Sequence, residues 1–179
     1  AMGVDQWPLV LAGPIVRRVE PGLVAIWVAL KEERLVRVRV YEGAVDTGSG
    51  EDVFDRPTSV ASGDARTMRI GEHLHVACTI ATTPAGATLS AGQTYAYDVL
   101  FGPPTDPFEA TDDLKSLQLL VDRAAETTAE RPRSRHVALG YEPGALPTFV
   151  LPPDELKDLR IAHGSCRRIH ADCFDMIAS

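Results

Sequence analysis

The residue types best suited to chemistry cluster near the end of the 179-residue sequence, where His163-Gly164-Ser165-Cys166-Arg167-Arg168 is followed by His170 and Cys173. A thiolate is both a soft metal ligand and a nucleophile, and either use requires a lowered thiol pKa. Cys166 is predicted to have one. It follows a short apolar strand, Leu159–Ala162, at the point where a helix is expected to open, with Arg167 and Arg168 beside it. His163, Cys166, His170 and Cys173 are spaced His-x2-Cys-x3-His-x2-Cys, two nitrogen and two sulfur donors, the count of a structural zinc site. On a helix over 166–173, Cys166, His170 and Cys173 share one face, although paired zinc ligands usually sit on two elements separated by a longer loop. The plainer alternative makes Cys173 a small buried hydrophobe and His163 and His170 ordinary polar residues. A Cys166–His163 nucleophilic pair has no third group to orient the base. Ser165 lacks the Gly-x-Ser-x-Gly context of a hydrolase nucleophile, and the sequence contains no phosphate-cradling glycine loop, dinucleotide fingerprint or His-Glu-x2-His.

The elements that must carry these residues are read from hydrophobic periodicity. Leu23 to Leu30 is an uninterrupted apolar run, bounded by Pro21-Gly22 and Lys31-Glu32-Glu33, too short for a good helix and rich in strand formers. Leu35 to Tyr41 alternates, with Val36, Val38 and Val40 on one face and Arg37, Arg39 and Tyr41 on the other. Leu74, Val76, Cys78 and Ile80 alternate against His73, His75 and Thr79, and Tyr95, Tyr97, Val99 and Phe101 repeat the pattern. Period 2 is that of a pleated strand with one buried face, so Cys78 is expected in the core. Gly43–Glu51, Ser62-Gly63-Asp64 and Thr82–Gly92 read as turns. Short strands with such turns predict an antiparallel β-sandwich. The stretch Leu89 to Tyr97, with Tyr95 placed to anchor a corner, resembles the penultimate-strand signature of fibronectin type III and related immunoglobulin-like domains, and Trp27 early in a strand fits the same pattern. Trp27, Tyr95 and Tyr97 are also explained as core residues alone. The Leu23–Leu30 strand is apolar on both faces, which predicts a cover over its outer side: the later residues or a partner.

Residues 103–153 change character. Pro103, Pro104 and Pro107 break the strand pattern, and Thr111 or Asp112 can cap a helix near 112–125, in which Leu114, Leu117, Leu120 or Val121, and Ala124 fall at helical spacing. Glu126–Arg135 reads as a mobile loop. Its Arg131, Arg133 and Arg135, with His136, form a basic cluster that is either a solvated surface or a phosphate attractor. Leu146–Leu151, punctuated by prolines, is expected to return as an edge strand.

Eighteen Lys and Arg against 25 Asp and Glu give a net charge of −7, which argues against nucleic acid or an anionic membrane surface as partner. No apolar run approaches the roughly 18 residues of a membrane-spanning helix. Three cysteines are too few for a disulfide framework; the odd count leaves a thiol free and favours a reducing compartment. Val4 onward lacks the basic flank and apolar stretch of a secretory leader.

The junction Leu159-Arg160-Ile161-Ala162-His163-Gly164-Ser165-Cys166-Arg167-Arg168 resembles the PhoD-like metallophosphatase family, in which an immunoglobulin-like sandwich precedes a calcineurin-like α/β domain whose first strand ends in Ser-Cys. Gly13–Val19 and Ala25–Val28 are similar to that family's opening strands, and the insertion at 102–145 departs from its simpler members. The resemblance implies a mainly β fold: an immunoglobulin/fibronectin III-like sandwich over 1–102, an insertion with one helix over 103–153, and the start of an α/β metallophosphoesterase domain over 154–179. It implies Cys166 as one ligand of an iron that works beside calcium, and Arg167 or Arg168 as phosphate contacts, unless these are surface arginines. It further implies phosphate mono- or diesters as substrates, hydrolysed by metal-activated hydroxide. The remaining ligands belong to a C-terminal phosphatase domain that would be the chain's partner, so this chain alone is expected to hold no metal tightly and to be non-catalytic. The alternative is a free-standing fibronectin III-like binding module.

Overall fold

The computed structural model describes residues 4–48, 55–105, 107–121 and 138–161. Among them are eight strands: β1 (Val10–Glu20), β2 (Leu23–Leu30), β3 (Leu35–Glu42), β4 (Ala61–Arg66), β5 (Met68–Gly71), β6 (Leu74–Thr82), β7 (Thr94–Gly102) and β8 (Thr148–Val150). Every strand pairing is antiparallel. The order is β1-β2-β6-β4-β3-β7-β8, with β5 added to β6. Between β6 and β4 only Ser62 and Thr82 are in register, so the sheet divides there into two leaves, β1-β2-β6-β5 and β4-β3-β7-β8. The fold is therefore an immunoglobulin-like antiparallel sandwich, mainly β as expected.

The interior follows from the alternation of side chains along each strand. Val24, Ile26, Val28 and Leu30 of β2 meet Val36, Val38 and Val40 of β3 and Tyr97, Val99 and Phe101 of β7, all almost fully buried. Each such aliphatic side chain contributes about 1.5–3 kcal/mol relative to exposure. Tyr95 stacks on Phe149 at 5.7 Å between ring centroids, which joins the expected return strand β8 to β7. The Tyr95 hydroxyl accepts the Ser90 N–H at 2.7 Å, the corner contact that the sequence led us to expect.

Three expectations need correction. Ser62-Gly63-Asp64 is not a turn but the middle of β4. Its glycine serves close approach: a Cβ at position 63 would lie 1.9 Å from the Ile80 carbonyl oxygen. Cys78 is exposed rather than buried. The alternation of β6 is real, but its inward residues are His75, Ala77, Thr79 and Ala81, whereas Leu74, Val76, Cys78 and Ile80 face outward. Small side chains suit the inward face because β4 crosses so near at Gly63. Trp27 lies on the same outer side of the sheet, between Ile15 and Cys78, and is half-buried.

The third correction concerns the helix near 112–125. Residues 114–120 form successive turns, with Leu117 N–H bonded to the Asp113 carbonyl, Gln118 to Lys115, Leu119 to Leu114, and a positive φ of 54° at Gln118. Within 114–120 these bonds mix different spacings instead of forming a regular i→i−4 ladder, and the Leu119 and Leu120 carbonyls accept the N–H groups of Leu139 and Gly144. The apolar spacing still finds its target: Leu114 and Leu120 are buried and Leu117 packs beside them. With Leu146 they accompany Tyr41, Ala96 and Leu100, the residues of β3 and β7 that point away from the sandwich interior. Residues 122–125, the loop 126–135 and His136 lie outside the described residues.

Candidate functional site

Cys166, Arg167, Arg168, His163, Ser165, His170 and Cys173 all lie outside the described residues, as does Ala162. The approach to them is described. After one short 3-10 turn at Leu156–Asp158, Leu159 is extended, and Leu159 and Ile161 are 39% and 79% exposed. Residues 159–161 pair with no strand among the described residues. Nor is any group of three or more His, Cys, Asp or Glu side chains placed to hold a metal ion among them.

What the structure does assemble is a buried charge cluster. Asp98, on the outer side of β7, is 1% exposed, and its Oδ2 accepts Arg56 Nε at 3.0 Å while Oδ1 accepts the Val99 N–H at 2.9 Å. The Leu114 N–H also donates to this carboxylate. Arg56 reaches Asp113 as well, so one guanidinium ties β7 to the start of the insertion. Burial raises the Asp98 pKa to about 6; Arg56 opposes the shift and the like charge of Asp113 adds to it. Burial also pushes the neighbouring Tyr41 hydroxyl up to about 12, aided by the Asp98 charge. A carboxyl near neutrality is suited to proton transfer, but a general acid must reach its substrate, and Asp98 is sealed. The cluster is a clasp. Its sequence signal was Asp98 itself, a lone acid in the apolar run Tyr95–Phe101.

Two open hollows lie on the described surface. One, of about 310 Å³, is lined by Asp5, Lys31, Glu32, Glu72, His73 and His75. His75 Nδ1 is buried there without a hydrogen-bond partner. The other, of about 330 Å³, is lined by Arg37, Arg39, Ser59, Ser62, Gly63 and Asp64. Arg37 is already committed, with both Asp64 oxygens at 2.6 Å and the Phe108 ring centroid at 4.2 Å. No helix among the described residues is long and apolar enough to cross a membrane. No protein-family model, curated protein or solved structure matches the chain.

Proposed function

We propose that this chain is the sandwich region of a metal-dependent phosphoesterase resembling the PhoD-like family, acting on phosphate mono- or diesters and non-catalytic by itself. The observation that carries the reading is an order of parts: an immunoglobulin-like sandwich with a tyrosine corner, closed by β8, followed within a few residues by the Leu159–Arg168 sequence with its Ser-Cys step. In that reading Cys166 ligates iron as a thiolate, and Arg167 and Arg168 hold substrate phosphate by charge-assisted hydrogen bonds. Bound iron and calcium would supply an activated hydroxide and charge stabilisation at phosphorus.

The test is hydrolysis of an aryl phosphate, with iron and calcium supplied, by this chain and by the longer polypeptide read in frame past Ser179. Turnover by the longer polypeptide alone, lost on Cys166→Ser, supports the reading. Turnover by the short chain, or none by a folded and metal-loaded longer one, overturns it. The alternative of a free-standing binding module is favoured by the strands β1 to β8 enclosing one interior of their own. A stop codon directly after Ser179 would decide for it.

A further inference from the structure

The leaf β1-β2-β6-β5 is dressed on the wrong side for a sheet facing water. An antiparallel sheet with one solvated face carries polar side chains there. Here β6 turns Leu74, Val76, Cys78 and Ile80 outward. Cross-strand register extends the stripe: Ile15, Trp27 and Cys78 form one row and Ala12, Ala29, Val76 and Met68 another, while the exposed Arg18 borders the row of Ala25 and Ile80. Ile15 is 43% exposed, Ile80 53% and Met68 63%. The opposite outer face, on β3 and β7, is already covered by Leu114, Leu120 and Leu146. A contiguous exposed apolar face marks an interaction surface.

The path of the chain indicates what covers it. The Leu151 carbonyl accepts the Gly92 N–H at 2.9 Å, and three residues before Gly92 the Leu89 N–H bonds to the Pro21 carbonyl at 2.7 Å. The chain therefore leaves the sandwich near the Pro21–Gly22 end of β2, where Glu20, Leu23 and Thr82 form the rim row and Ile80, one row further in, is the first exposed apolar side chain of the face. Residues 154–161 are exposed throughout and include the bare apolar side chains of Leu159 and Ile161. Ten residues beyond Leu151 reach at most about 35 Å, against about 20 Å from Leu23 to Ala29 along β2.

We infer that the outer face of β1-β2-β6-β5 is the docking surface for the α/β layer that begins at Leu159, whose apolar side chains cover Trp27, Cys78 and Ile80. The inference rests on the phosphoesterase reading and names the partner surface within it.

Cys78 sits in the middle of the face and serves as the reporter. The experiment compares its alkylation by iodoacetamide, followed peptide by peptide by mass spectrometry, in the 179-residue chain and in the longer polypeptide. Labelling of Cys78 is expected to be at least about tenfold slower in the longer polypeptide. Ile80→Glu there restores fast labelling, and Tyr141→Glu, at a position 94% exposed, does not. Equal rates in the two polypeptides overturn the docking. So does protection in the short chain that grows with its concentration, because the occupant is then a second copy. Aryl phosphate hydrolysis measured on the same samples separates the two ideas. Hydrolysis with equal labelling sinks the docking alone, and slow labelling without hydrolysis sinks the phosphoesterase reading alone.

Discussion

The Tyr95 hydroxyl accepts the Ser90 N–H at 2.7 Å while its ring stacks on Phe149, so one side chain fixes the turn before β7 and the strand after it. Tyr95→Phe keeps the ring and orphans the part-buried N–H. It should lower the unfolding free energy by about 1–3 kcal/mol in urea titrations. An unchanged midpoint would mean that water replaces the hydroxyl and that the corner is not held from there.

Asp98 makes stability depend on pH in a direction opposite to most carboxylates. Its folded pKa of about 6 exceeds the ordinary 3.8, so the folded chain binds the proton more tightly. The associated stability is fully present below the ordinary value and is lost as pH rises through the folded one. Asp98→Asn removes the titration. The variant should gain on the wild type between about pH 4 and 6, by at most about 3 kcal/mol at neutrality. Arg56→Met, by contrast, leaves Asp98 buried without its guanidinium and should cost about 3–5 kcal/mol. Urea melts of the three proteins across that pH range test both statements.

Gly63→Ala would place a methyl group 1.9 Å from the Ile80 carbonyl oxygen, a backbone atom that cannot step aside without moving β6. We expect a loss of about 1–3 kcal/mol, from forced separation of the two leaves where they join. Thermal unfolding of the variant measures it. A wild-type melting temperature would show that the leaves are not held so close in solution.

Ile80 and Ile26 belong to the same leaf and should behave as different residues. Ile26, at 1% exposure, is expected to cost about 2–5 kcal/mol on replacement by alanine. Ile80→Ser, on the outer side, should stay within about 0.5 kcal/mol in the 179-residue chain. Comparable losses at the two positions would place Ile80 inside and return β6 to the orientation suggested by its alternation.

That pair shows how far the sequence can be read. Alternation in Leu74–Ile80 correctly told which residues share a face, and nothing in it says which face points inward. That is settled by neighbouring strands distant in sequence, here by the approach of Gly63. The strands β2, β3 and β7 were legible because Val36, Val38 and Val40, or Tyr97, Val99 and Phe101, have one side to hide. β4 was missed because Ser-Gly-Asp has the composition of a turn, and local composition does not record that glycine is needed for contact. The Leu114–Leu120 spacing found the right burial with the wrong backbone: successive turns, with a positive φ at Gln118, carry Leu114 and Leu120 inward. Asp98 was visible as an anomaly, but its partners Arg56 and Asp113 come from elsewhere in the chain, and only the fold brings them together. The Ser-Cys junction was the reverse case: plain in sequence as a motif, with Cys166, Arg167 and Arg168 beyond the described residues.

The two rims of the sandwich carry a further implication for how copies meet. At one, β8 has only three residues, flanked by Pro147 on one side and by Pro152 and Pro153 on the other. At the other, Pro14 interrupts the amide row of β1, and its register against β2 slips in three places. An incoming strand from a neighbouring molecule finds too few regularly spaced backbone groups on either side to zip onto. Growth into ribbons through these two rims is thereby discouraged.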